Sequence, residues 1–333
     1  MQSSSNAALI VVLGTGGTIA GTAASPDDHL GYSAAQLSAT QLIAAVPALA
    51  DTPIEVEQVA QVDSKDMGFA IWRALAVAVS RHLERPEVGG IVVTHGTDTL
   101  EETAYFLQRV LAPRKPVVLV AAMRPATSAQ ADGPQNLLDA VGVARSAGAR
   151  GVVAVLAGTV HSALDVRKTH TYRLDAFGSG DAGALAHIEQ GRLRRHRFWP
   201  DGDALGLTAL PVDVTQWPRV EIVTSHAGAS SVVVDALRQT GVNGIVVAST
   251  GNGTLHHALE TALLGAQAAG VMVWRSSRCL GGSVLDAGPP ARLPSAGALT
   301  PVQARIELML RLLAPSSAGT GALAPAGFTA PSA

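Results

Sequence analysis

Short β-branched runs alternate with helical patterns, and each run stops at a cluster of glycine, hydroxyl or charged residues. ALIVVL (8–13) ends at GTGGTIAG, IEVEQVAQV (54–62) at DSKDM, VGGIVVT (88–94) at HGTDT and KPVVLVAA (115–122) at MRPATSAQADGP; RGVVAVL (150–156) follows. Between them Met67, Ile71, Leu75, Val79 and Leu83 recur at steps of four within 66–83, one face of a helix. Residues 132–147 read as another helix, opened by Asp132-Gly133-Pro134. Alternation of this kind predicts an α/β fold, a doubly wound and mostly parallel sheet covered on both faces. In such sheets ligands bind beyond the carboxyl ends of the strands.

The 333 residues suit two domains. From about residue 184 the pattern changes to a hairpin around Gln190-Gly191, and a Pro- and Trp-containing stretch follows. A second, smaller alternation then runs through 219–225, 244–250 and 270–277, with helices near 230–239, 254–268 and 301–313. The expected organisation is a larger N-terminal α/β domain over 1–210, a linker at 211–218, a smaller C-terminal α/β domain over 219–314 and a disordered tail at 315–333.

A net charge of −2 gives no reason to expect nucleic acid or an anionic membrane as a partner. No apolar stretch reaches the roughly 20 residues that span a bilayer. The N-terminal apolar run lacks a basic leader and ends in a glycine loop, so it reads as a strand and a cytoplasmic protein is expected. The single cysteine, Cys279, leaves no internal disulfide and no thiolate zinc cluster, and reads as a packing thiol. The ten histidines show no H-E-x-x-H spacing, so no catalytic metal is expected.

The strand ends gather Thr15 and Thr18; Asp63, Ser64 and Lys65; His95, Thr97 and Asp98; Ala122 and Met123; and, further on, Lys168 in DVRKTHT. Hydroxyls, a carboxylate and an amine on one edge suit acyl transfer: a hydroxyl nucleophile, a base, and backbone amides of the GTGG loop as oxyanion donors. The dinucleotide fingerprint G-x-G-x-x-G fails at the same loop, because position 19 is Ile19 and Gly16 is followed two residues later by Thr18. The polar stretch GTAASPDDHLGYS that follows reads as a lid carrying Tyr32. Blander readings stand beside these. Thr18 could pack a loop, Asp98 could cap a helix with Glu101 three residues on, and Ser64 could cap a helix beginning near Asp66. Lys168 could be a solvated surface group, and RLRRHR (192–197) reads as an exposed hairpin face.

GTGGTIAG, HGTDTLEETAYFL, AMRPATSAQADGPQNL and DVRKTHT resemble the bacterial-type L-asparaginase family, which includes the asparaginase–glutaminases, in order and spacing over about residues 8–313. The resemblance implies cofactor-free hydrolysis of L-asparagine to L-aspartate and ammonia, with weaker glutaminase action, by a homotetramer built as a dimer of dimers. Thr18 matches the threonine that forms the acyl-enzyme, and Tyr32 the lid tyrosine that activates it. Thr97, Asp98 and Lys168 match a second group in which lysine and aspartate tune a threonine hydroxyl. Ser64 and Asp98 match positions at the substrate's carboxylate and amino ends, Ala122 a backbone contact to the side-chain amide, and Asn252 a residue reaching the neighbouring subunit's site. Two departures stand out. Lys65 occupies a substrate-contacting position where members often carry Gln or Glu, and no glutamate follows SSRCLGG, where Asp286 is the nearest carboxylate. The alternatives are a related amidase preferring glutamine or another amide, and a non-catalytic amino-acid-binding protein of the same fold.

Overall fold

The computed structural model describes residues 8–28, 30–286 and 292–314. The chain divides into two compact units, Met1–Leu207 and Thr208–Ala333. The expectation for residues 315–333 lies outside the described residues.

In the first unit the elements run β1 (Leu9–Gly16), α1 (Ala39–Ala44), β2 (Ile54–Val62), α2 (Phe69–Leu83), β3 (Val88–Thr94), α3 (Leu100–Leu111), β4 (Pro116–Val120), α4 (Gly133–Ala144) and β5 (Gly151–Leu156). Then come β6 (Thr159–Ser162), β7 (Arg167–Lys168), β8 (Phe177–Gly178), β9 (Ala186–Glu189) and β10 (Arg192–Arg195). Eight strands form one sheet in the order β10-β9-β6-β5-β4-β3-β1-β2, and β7 and β8 pair separately. The run β2-β1-β3-β4-β5 is parallel, whereas β5-β6, β6-β9 and β9-β10 are antiparallel. The inner parallel strands β1, β3, β4 and β5 are buried on both faces, which is why they read as continuous apolar runs, whereas the edge strand β2 is part-exposed and alternates with polar residues. On one face Ile10, Val12, Val118, Val120 and Val153 pack with Leu42 of α1 and Leu137 and Val141 of α4. The other face takes α2 and α3, where the rings of Trp72 and Phe106 stack at 4.8 Å.

The strand order has a direct consequence for function. β1 lies between β2 and β3, so the loops after residues 16, 62 and 94 emerge side by side. Sequence reading missed β6. The turn between β5 and β6 is Ala157-Gly158, with φ of 48° and 70° at the two residues. Two positive-φ residues make a tight hairpin, but alanine at the first of them hides the usual signal.

The second unit contains β11 (Val220–Thr224), α5 (Val232–Gln239), β12 (Gly244–Ser249), α6 (His257–Ala268), β13 (Met272–Ser277) and α7 (Pro301–Leu313). Its three strands are parallel in the order β11-β12-β13. Val234 of α5 and Leu259 and Leu263 of α6 pack on Ile245, Val247 and Val273. The helix α7 packs against all three strands and begins with a capping box between Thr300 and Gln303. In the stretch read as a linker, Trp217 is buried and its indole N–H donates to the Pro211 carbonyl at 3.1 Å. Cys279, expected as a packing thiol, is instead exposed on a loop after β13. RLRRHR falls on β10 and just beyond it, where Arg194 pairs with Glu189 across the hairpin.

Candidate active site

The two threonines of GTGGT have different fates. Thr15 still belongs to β1, and its buried hydroxyl donates to the Thr94 carbonyl at 2.8 Å, tying β1 to the end of β3. Thr18 opens a short 3₁₀ turn, Thr18–Ala20, and its Oγ1 lies 2.7 Å from the Tyr32 hydroxyl. Tyr32 reaches it because the lid returns on itself: Thr22 and Ser33 pair as an antiparallel bridge with both backbone bonds at 2.9 Å. The lid is also tied to the loop after β4, through Ala126 N–H to the Gly21 carbonyl and Ala23 N–H to Thr127 Oγ1.

Gly17, at φ 84°, lies directly against the backbone of Gly96; a Cβ on Gly17 would collide with it, and one on Gly96 would collide with Ser64 Oγ. Glycine is needed here because three loops meet backbone to backbone. Of the GTGG amides read as oxyanion donors, the Gly17 N–H donates to the Val62 carbonyl at 2.9 Å.

The loop after β3 is fixed from behind by a proton-ordered chain. His95 is fully buried, and burial pulls its pKa down to about 4, so the ring is neutral. Its Nδ1–H donates to the Gly96 carbonyl at 2.7 Å, its Nε2 accepts from Thr103 Oγ1 at 2.9 Å, and Thr103 accepts from the Trp72 indole at 2.9 Å.

Two local readings give way to distant partners. The N-cap of α3 is Thr99, with no side-chain cap bond, while the Asp98 carboxylate takes a hydrogen bond from Lys168 Nζ at 2.6 Å. Lys168 Nζ also donates to Thr97 Oγ1 at 2.8 Å, so Thr97, Asp98 and Lys168 form one cluster. Ser64 does not cap α2, which begins at Phe69 after Gly68. Asp63 caps the short turn Ser64–Asp66 by accepting from Lys65 N–H, and Ser64 Oγ accepts from Asp98 N–H at 3.2 Å.

Lys65 points its ammonium at Asp66, 2.7 Å away, and Asp63, 3.2 Å away, on a side chain 61% exposed. Those two carboxylates hold its pKa above the usual lysine value. Ala122 is fully buried in a loop pinned by Asp132, whose carboxylate accepts from Met123 and Arg124 N–H, both at 3.0 Å. Asn136 takes the Ala121 carbonyl at 2.9 Å and donates to Asp132. In the second unit Asn252 donates to the Leu285 carbonyl at 3.0 Å and accepts from Leu285 N–H at 2.8 Å, and Asp286 pairs with Arg275. Among the described residues no group of three or more His, Cys, Asp or Glu is placed to hold a metal ion. One member of the site escaped sequence reading altogether. Glu101, read only as the fourth residue of a capping box, accepts from the backbone N–H of Lys168 at 2.6 Å.

An α/β sheet whose strand ends hold a threonine against a tyrosine, and a second threonine against a lysine–aspartate pair, defines a class of protein equipped for acyl transfer. Residues 9–199 match the family "Asparaginase, N-terminal" and residues 219–319 the "Glutaminase/Asparaginase C-terminal domain". The chain therefore belongs to the asparaginase family. It is 38% identical over 311 residues to L-asparaginase 2 of Escherichia coli strain K12, covering 91% of this chain and 88% of that one. It is 37% identical over 296 residues to the glutaminase-asparaginase of Pseudomonas fluorescens biotype A, covering 86% and 80%. The crystal structure of a probable cytoplasmic L-asparaginase from Campylobacter jejuni matches with a TM-score of 0.85 and 38% identity, over 92% of this chain and 95% of that one.

Proposed function

We propose that the protein hydrolyses L-asparagine to L-aspartate and ammonia through an ester on Thr18, with slower action on L-glutamine. The observation that carries this reading is the 2.7 Å hydrogen bond between Thr18 Oγ1 and the Tyr32 hydroxyl, in a loop whose backbone touches that of the Thr97 loop. Thr18 Oγ attacks the side-chain carboxamide carbon, and its proton leaves along the bond to Tyr32 and is delivered to the departing nitrogen. The C–N bond breaks, ammonia leaves, and water cleaves the ester to give aspartate. Lys168 and Asp98 hold the Thr97 hydroxyl in place for the proton transfers of these steps.

Ser64 accepts from Asp98 N–H, which leaves its own proton to donate to the substrate's carboxylate. The Asp98 carboxylate, 54% exposed, serves the substrate ammonium. Ala122 presents its backbone to the carboxamide. The resemblance supports a tetramer built as a dimer of dimers, with Asn252 near the neighbouring subunit's site; light scattering on the purified chain tests this, and a monomer defeats it. The similarity to a glutaminase-asparaginase favours dual specificity, read from kcat/KM for both amides on one preparation.

Ammonia release from L-asparagine by Thr18→Ala, Thr97→Val and Lys168→Met proteins tests the chemistry. Thr18→Ala should abolish turnover, and Lys168→Met should cost ~10²–10⁴-fold in kcat, the usual share of a positioned proton-transfer group. Wild-type rates in both threonine variants would defeat the reading. Tight aspartate binding with no ammonia from the unaltered chain would mark a binding protein instead.

A further inference from the structure

We propose that Glu101 is a positioning residue whose carboxylate clamps the backbone of Lys168 and so sets the Lys168 ammonium between Thr97 and Asp98. The consequence for turnover rests on the asparaginase reading above; the clamp itself rests on geometry. Lys168 lies on β7, a strand of only two residues whose one partner is β8, where Lys168 pairs with Phe177. So short a strand has a ladder of only two pairs, on one side, to fix its position. Its outer N–H, at Lys168, is taken by Glu101 Oε2 at 2.6 Å. Glu101 stands in the first turn of α3, just beyond the segment that carries Thr97 and Asp98. One helix start therefore grips both ends of the same residue: Glu101 holds its backbone, and Asp98 and Thr97 hold its ammonium at 2.6 and 2.8 Å.

Glu101 is also placed to make this grip depend on pH. Burial pushes its carboxyl up to about 7, against the lowering effect of the Lys168 N–H bond. Glu102 on the same helix raises it further, while Arg167 and Lys168 on the facing strand lower it. The carboxylate accepts the N–H through a charged oxygen; once protonated it offers only a carboxylic-acid oxygen, a poorer acceptor than either a carboxylate or a carboxamide oxygen. Acidification through neutrality therefore loosens the hold on Lys168.

The test compares the unaltered chain with E101Q and E101A, by amide hydrogen exchange of the segment around Lys168 and by kcat and KM for L-asparagine from about pH 5.5 to about 8.5. In E101A the Lys168 amide should exchange ~10-fold faster or more. Its kcat should fall ~10–100-fold, the scale of a small misplacement of a reacting group, with KM little changed. E101Q, whose amide oxygen accepts the same N–H at every pH, should restore slow exchange and most of kcat. The unaltered chain should show an acid limb in kcat near pH 7, and E101Q should lack it. Unchanged exchange or unchanged kcat in E101A overturns the proposal, and so does an acid limb that survives in E101Q. Should E101A fail to fold, the E101Q pH profile decides alone. Absence of ammonia release from every form, with the exchange pattern intact, would sink the asparaginase reading and leave the clamp standing.

Discussion

At the scale of single residues, the same side-chain type does opposite work a few positions apart. Thr15 and Thr18 share one motif, yet the first spends its hydroxyl on the Thr94 carbonyl and only the second meets Tyr32. Lysines divide in the same way. Lys168, 20% exposed, joins two groups of the site, while Lys65, 61% exposed, is neutralised by Asp63 and Asp66. That pairing turns the Lys65 ammonium onto two carboxylates of its own turn. Solvent screens an exposed pairing of this kind, so it contributes little. Lys65→Gln should therefore change KM for asparagine less than about fivefold. A tenfold or larger change in KM would show that Lys65 contacts substrate directly.

At the scale of elements, the helices and parallel strands of the first unit were legible because burial on both faces writes itself as apolar runs and steps of four. The ends were less legible. DTLE after Thr97 has the spacing of a capping box, and the structure gives Asp98 to Lys168 and Glu101 to the Lys168 backbone instead. A cap bond and an ion pair draw on the same carboxylate, and local spacing says nothing about a lysine 70 residues away. Behind the site, the chain Trp72–Thr103–His95–Gly96 couples α2 and α3 to the β3 loop. Thr103→Val would leave the buried Trp72 N–H and His95 Nε2 without their shared partner, at a cost of ~1–3 kcal/mol for unsatisfied buried groups. Urea denaturation of that variant measures the loss; an unchanged midpoint would mean that the chain carries no structural weight.

At the scale of the whole molecule, buried titratable groups set opposing pH dependences. Burial lowers the pKa of both His95 and His161 to about 4 from 6.5, so between those values the folded chain binds fewer protons than the unfolded one. Their stabilisation is present at neutral pH and is lost as pH falls through that window. Glu101 runs the other way: its pKa is raised to about 7 from 4.5, so its contribution is full at low pH and lost as pH rises through about 7. E101Q removes only the second effect. It should lose more stability than the unaltered chain when urea midpoints are taken first near pH 7 and then near pH 5; parallel declines would rule out a titrating Glu101.

The sequence by itself determined which residues stand at the ends of which strands. Hydrophobic period fixes element type locally, and glycine and hydroxyl clusters mark where strands stop. From that alone came the α/β class and the pool of Thr18, Ser64, Thr97, Asp98 and Lys168. Only the tertiary structure decided who pairs with whom. Placing β1 between β2 and β3 presses Gly17, Gly96 and Ser64 together, and the β5–β6 hairpin with the short β7 delivers Lys168 to a helix start formed far earlier in the chain. The physical reason is that a helix face or strand end depends on neighbours a few residues away. The partner of a carboxylate depends instead on strand order, where groups remote in sequence compete for it at hydrogen-bond distance.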